Sequence, residues 1–299
     1  MNMALTKPPK TSAGVRAGAW LQYLRRHPAS ALLRLMCLLA MGITAFVILY
    51  LIGDVLVKGI PNLKPELFSL EYTSENQSLL PSLINTLIIT LTSLLVAVPL
   101  GVGGAIYLTE YARRESPMVK AVRITAETLA GIPSILYGLF GMMCFVTTLH
   151  MGLSLLSGAL TLSLMVLPLI LRTAEEALLA VPDGYREGSY GLGAGKLRTV
   201  CRIVLPSAAP GIFAGVVLAI GCIIGETAAL LFTAGTVARM SQGLLSSGRT
   251  LAVHMYVLSG EGLHVGEAYA TAVVLLLLSA AMNGLSALIT RRMTRGMNE

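Results

Sequence analysis

Six tracts of this chain, at about 35–57, 83–108, 127–149, 153–171, 208–233 and 268–290, are each apolar over close to twenty residues or more. A helix needs roughly 20 such residues to cross a hydrocarbon core of about 30 Å. Lipid offers no partner to a backbone N–H or C=O, so tracts of this length must fold as helices that satisfy their own peptide groups. The pattern predicts an all-α integral membrane protein with six spans. Composition agrees, with 55% hydrophobic residues, only 12% charged ones and a mean hydropathy of +0.76.

The formal charge of +7 follows topology rather than a nucleic-acid surface, and no nucleic-acid partner is expected. Lys7, Lys10, Arg16, Arg25, Arg26 and Arg34 precede the first tract, and Arg113, Arg114, Lys120 and Arg123 separate the second from the third. Arg172, Arg186, Lys196, Arg198 and Arg202 separate the fourth from the fifth, and Arg291, Arg292 and Arg295 follow the sixth. The alternate connections hold only Lys58, Lys64, Arg239 and Arg249. The positive-inside rule therefore puts both termini and the 172–206 loop in the cytoplasm, with 58–82 and 234–267 outside. Residues 1–30 read as a cytoplasmic tail and 31–299 as one transmembrane domain. The run at 35–57 is too long for a cleaved leader and reads as a retained helix. Cys37, Cys144, Cys201 and Cys222 are scattered, as are the histidines, so neither a disulfide framework nor a zinc site is expected. No nucleophile and base pair suggests enzymatic chemistry.

Small residues mark where helices can approach closely: Gly211 with Gly215, and Gly221 with Gly225, both form G-x-x-x-G. Pro133 and Pro168 lie inside tracts, where kinks are expected. Glu226 lies within the fifth tract. A carboxylate at the bilayer centre is penalised by roughly 2.5 to 3.5 kcal/mol, so it is expected to face a pore or a partner subunit. Thr227 follows it as a further polar group on the same path.

The 172–206 loop is patterned. "RTAEEALLAV" continues the fourth helix into water, and Asp183 is a candidate N-cap for a short helix at 185–192. Gly191, Gly193 and Gly195 allow a sharp reversal, and Leu197, Val200, Cys201 and Val204 then recur on one helical face. "GLGAGK" fails as a phosphate-binding loop, because Tyr190 stands where the first Gly is needed and Leu197 where Ser or Thr is needed. No ATP site follows from it.

The loop resembles the "EAA" signature of ABC-importer permeases, E-A-A-x3-G-x9-I-x-L-P, through Glu187, Gly188, Ser189, Gly193, Ile203, Leu205 and Pro206. That resemblance implies a MetI-like, type I importer bundle in which Tyr185, Arg186, Glu187, Gly188, Ser189, Gly193 and Ala194 belong to a coupling helix docked on an ATPase subunit. "GETAALLFTAG", "AETLAGIPSILYGLFG" and "PLGVGGAIYLTEYA" further resemble the phosphate-importer permeases. A homologous second permease subunit, a dimer of ATP-binding subunits and an extracytoplasmic phosphate-binding protein are the implied partners, in a bacterial inner or plasma membrane. No cofactor is expected on this chain, and ATP and Mg are expected on the ATPase. Family members usually carry Arg four residues before the Glu of GET, where this chain has Cys222. Glu226 then either takes up a proton or leans on a cation from a neighbouring subunit. An importer of another oxyanion or small solute, and an ion-coupled transporter using Glu226 as a proton relay, are the alternatives.

Overall fold

The computed structural model describes residues 28–113 and 116–295. The expected tail at 1–30 lies outside them except for its last three residues, as do Lys7, Lys10, Arg16, Arg25, Arg26 and Arg114. Among the described residues there is no strand. Among the same residues five helices are long and apolar enough to cross a membrane, six if the one bent pair counts as a single span. Contacts divide the chain into two units, 1–55 and 56–299.

Helix α1, Pro28–Gly59, begins in the first unit. Every residue from 32 to 51 is exposed. A helical stretch that is apolar all round has lipid or another protein as its natural solvent.

In the second unit, α2 (Leu80–Ile106) ends in a wide turn at Tyr107–Tyr111. The third tract is not the single span expected from 127. Helix α3 (Pro117–Ala130) and α4 (Ser134–Gly141, extended by a wide turn at Met142–Thr148) meet at 103°. Pro133 makes this corner: it has no N–H to continue α3, and its ψ of 137° is extended. Pro168, by contrast, is buried inside α5 (Leu155–Leu179), which runs on for eleven residues beyond it. The fourth helix thus continues past its apolar tract as the sequence predicts.

The loop folds into α6 (Asp183–Gly191) and the short α7 (Lys196–Thr199), and a wide turn at Val200–Val204 leads into α8 (Leu205–Gly225). The fifth tract does not continue to 233. Helix α8 stops at Gly225, and a separate α9 (Ala228–Thr233) follows. Two helices complete the chain: α10 (Leu251–Glu261), inside what the sequence reads as a plain connection, and α11 (Val265–Arg295).

Helix α5 is the axis of this unit. It packs on α2, α8 and the bent α3–α4 pair. The core joins Ile89 and Ala97 of α2 to Leu162, Val166 and Ile170 of α5 and to Ile223 and Leu230 beyond. Two hydroxyls tie α2 to α5 across the core: Ser93 donates to the Ala159 carbonyl at 3.1 Å, and Ser163 donates to that of Ser93 at 3.0 Å. Small residues set the approach distances. A Cβ on Gly211 would meet Ala177 at 2.7 Å, and one on Gly215 would collide with Thr173, so the first G-x-x-x-G packs on α5. Gly221 and Gly225 have nothing within 4 Å.

At the end opposite α6, Asn85 knits the 239–249 segment to α2, donating to the Arg239 carbonyl at 3.1 Å and accepting from the Ser241 amide at 3.2 Å. Thr250 caps α10, and the Leu251 amide donates to Thr86 at 2.8 Å. This cap encloses Arg249 (3% exposed) and His254 (0% exposed). The Arg249 guanidinium lies 4.8 Å from the Tyr72 ring centroid, yet its Nε and Nη2, and both ring nitrogens of His254, have no hydrogen-bond partner in the protein. Burial and the neighbouring Arg249 charge push the His254 pKa down to about 3.

Two outcomes are expected. Gly215→Leu should lower stability by about 1 to 3 kcal/mol through overpacking, read as a lower melting temperature in detergent, whereas Gly221→Ala should not lower it in the isolated chain. For His254, the unfolded chain binds a proton near pH 6.5 that the folded chain refuses until about pH 3. Acidification through that window therefore favours unfolding by up to about 1.4 kcal/mol per pH unit. Acid titration of stability, compared with His254→Phe, checks this: the variant should show the shallower slope.

Candidate functional site

The 172–206 loop forms a short platform fixed to three spans. Helix α6 starts at Asp183, with Pro182 in the N-cap position, one residue before the cap expected from the sequence. It ends in a Schellman turn: the Gly193 amide donates to the Tyr190 carbonyl at 2.9 Å and that of Ala194 to Ser189 at 3.1 Å. Of the three loop glycines only Gly193 has positive φ, at 82°, so the reversal depends on it alone.

The predicted docking residues divide into two sets. Tyr185, Glu187, Gly188 and Gly193 are exposed and Ala194 is half-buried. Arg186 and Ser189 are turned inward, contrary to a reading in which the whole segment faces a partner. Ser189 Oγ lies 2.8 Å from Thr199 Oγ1, both buried, tying α6 to α7. Arg186 is paired with Glu110 at the end of α2, Nη2 to Oε1 at 2.8 Å, with side chains 13% and 6% exposed. It also donates to the Val181 carbonyl at 2.7 Å and to that of Leu178 at 2.9 Å, at and just beyond the end of α5.

Beyond the reversal, the expected buried face of Leu197, Val200, Cys201 and Val204 is only half present. Val200 and Val204 are buried, while Leu197 and Cys201 are exposed. The wide turn at Val200–Val204 shifts the register, so that burial falls at 200, 204 and 208. The outward surface is therefore richer in apolar groups than the sequence suggests: Leu192 is 91% exposed, and Leu197 and Tyr190 stand out beside it. Leu197 lies outside the 185–194 segment expected to dock. Clefts of about 570 Å³ and about 350 Å³ flank α6 and share Arg202 and Ile203.

The second predicted site is the break between α8 and α9. Glu226 has a helical φ of −72° and an extended ψ of 129°, so the chain leaves the helix only after Glu226, which keeps its place one turn beyond Cys222. Glu226 Oε1 accepts the Ala229 amide at 3.0 Å, satisfying one of the open donors at the start of α9. Thr227 stands in the N-cap position and is half-buried. Helix α9 packs on α4, where a Cβ on Gly138 would meet Ala229 at 2.8 Å, so the two broken spans touch close to their breaks. Gly221, Cys222 and Gly225 form an uncovered strip beside the half-buried Glu226. Charges at the other end of the bent pair are satisfied: Glu175, buried rather than solvated as expected, accepts from Arg123 Nε at 2.7 Å, and Glu176 pairs with Arg172 at 3.0 Å. No group of three or more His, Cys, Asp or Glu side chains placed to hold a metal occurs among the described residues.

The model of the family described as "Binding-protein-dependent transport system inner membrane component" matches residues 97–295, from within α2 to the end of α11. The chain belongs to this family. Among its permeases, a probable ABC transporter permease of Bacillus subtilis (strain 168), YqgI, is 31% identical over 240 residues, covering 75% of this chain and 81% of that one. The phosphate transport system permease protein PstA of Pasteurella multocida is 36% identical over 199 residues, covering 66% and 70%. PstA 1 of Mycobacterium tuberculosis is 42% identical over 154 residues, and there the match spans about half of each chain. The fold is that of ABC-importer permeases. A bacterial alginate ABC transporter solved with its pentasaccharide-bound periplasmic protein superposes with a TM-score of 0.67 at 15% identity, covering 91% of this chain and 98% of that one. The inward-facing MetNI methionine transporter gives 0.58 at 20%, covering 71% and 93%.

The geometry at the α8–α9 break predicts that Glu226→Gln keeps the cap on Ala229, whereas Glu226→Ala weakens the start of α9 by about 0.5 to 2 kcal/mol. Amide hydrogen exchange at Ala229 and Leu230 checks this, and only the Ala variant should exchange faster.

Proposed function

We propose that this permease is the transmembrane subunit of an ATP-driven importer for inorganic phosphate, working by alternating access with ATP hydrolysed on a separate subunit. The observation that carries the ATP-driven part is α6. It is a short, exposed helix fixed to α2, α5 and α7, and it presents Tyr185, Glu187 and Leu192 outward. A rigid apolar and charged knob of this kind suits a groove on a partner that moves. The partners proposed are a dimer of ATP-binding subunits that uses ATP and Mg, a homologous second permease subunit, and an extracytoplasmic phosphate-binding protein. In this reading the α6 end is cytoplasmic and the α10 cap is extracytoplasmic.

Phosphate is supported by the PstA names of relatives at 36% and 42% identity and by the GET sequence at Glu226. The uncovered strip at Gly221, Cys222 and Gly225, with the Glu226 carboxylate beside it, suits a pore wall or a subunit seam better than lipid, where an ionised group is costly. Cys222 supplies no cation to this strip. An anion passing Glu226 then depends on positive charge from the second permease subunit.

Reconstitution tests both parts. Vesicles holding the full complex should take up phosphate only with ATP, and vesicles holding this chain alone should take up none. Uptake by the lone chain that collapses with the proton gradient would favour the ion-coupled alternative. Within the complex, Cys222→Arg should raise phosphate uptake several-fold, and unchanged uptake would show that this side chain is not limiting. Gly193→Val places a β-branched residue at positive φ, at a cost of about 1 to 2 kcal/mol. It should weaken co-purification of the ATPase subunit.

A further inference from the structure

The covalent chain joins the loop only to α5 and α8, so a force on α6 has a direct path to two spans. The side chains add a third path. At the end of α2, Glu110 accepts both Nε (3.1 Å) and Nη2 (2.8 Å) of Arg186 through one oxygen, and the adjacent Tyr111 ring lies 5.0 Å beneath Lys196 Nζ of α7. The loop thus grips the end of α2 from both sides of the Gly193 reversal. A nearly buried, charge-assisted contact is shorter and stronger than a neutral one and is poorly screened by salt, so it resists sliding. The other Arg186 bonds, to the Leu178 and Val181 carbonyls and to Asp183 Oδ1 at 3.2 Å, fix the same guanidinium to the end of α5, the turn after it and the start of α6. Sequence separation hides this arrangement, since Arg186 comes 76 positions after Glu110.

We infer that Arg186 and Glu110 clamp α2 to the coupling helix, making α2 a driven span that moves with α6. This rests on the ATPase-docking reading above and extends it to a span with no covalent link to the loop. Arg186 is a positioning residue in this scheme. It faces away from any docked partner, and its action is exerted through α6. Because α2 also carries the Ser93 contact to α5, motion delivered at Glu110 would be carried along the helix that forms much of the core with α5.

The test uses the complete transporter in vesicles, with phosphate as the solute and Glu110→Gln as the variant. The expected result is an assembled complex that still hydrolyses ATP but moves roughly tenfold less phosphate per ATP, the loss that follows from weakening one charge-assisted contact. An unchanged ratio in an assembled complex would overturn the clamp. A second measurement leaves the ion pair intact. Spin labels at positions 107 and 184, with the four cysteines replaced by Ser, should keep one separation in nucleotide-free and ATP-bound states. A separation that changes between the two states would overturn the proposal even if Glu110→Gln fails to assemble. Unaltered transporter that takes up no phosphate with ATP would count against the transport reading instead, and the label separation would then decide the clamp.

Discussion

Hydrocarbon offers a peptide group no hydrogen-bond partner, and that single deficit governs where this chain can depart from a helix. Each departure within the apolar tracts is covered by something specific. At the α3–α4 corner Pro133 has no N–H to leave open, and the Tyr137 hydroxyl donates to the Leu129 carbonyl at 3.0 Å. At the α8–α9 break the Glu226 carboxylate takes the Ala229 amide. The breaks come to lie close together because α9 packs on α4 through Gly138, where no side chain separates the backbones. Two bent spans in contact make a wall with irregular backbone, and such backbone is tolerated at membrane depth only inside protein or beside water.

The loop obeys the opposite economy. It lies beyond the apolar tracts, where water is available, yet Arg186 makes bonds to three different segments and Ser189 makes one to Thr199. Solvent would satisfy these groups without fixing the helix in place. Spending buried polar contacts on position rather than on stability alone is what a part that carries load needs.

Much of this was legible in the sequence, and the residues show why. Tract length and the distribution of Lys and Arg indicate membrane spans, because lipid thickness and insertion bias act on composition directly. The loop signature, with its Gly193 and Pro206 punctuation, indicates a short helix followed by a reversal. What escaped were features that depend on backbone register or on distant partners. The apolar tract at 208–233 gives no sign of a break at Gly225, since Glu226 reads as one costly residue in an otherwise uninterrupted helix. Leu197 and Cys201 face outward although their spacing with Val200 and Val204 is helical. Arg186 looked like a surface residue because Glu110, its partner, is on another span. Helix α10 was missed because its eleven residues are too few for a span and lie in a stretch flanked by Gly and Ser.

The uncovered strip on α8 has a consequence of its own. Gly221 and Gly225 bring no side chains, and Cys222 brings a small one, so this surface has almost no relief of its own. If the strip is a subunit seam, as proposed above, whatever relief exists there must be contributed from across it. In the proposed assembly, replacing the second permease subunit by a paralogue would therefore recast the lining of that seam without a single change in this polypeptide.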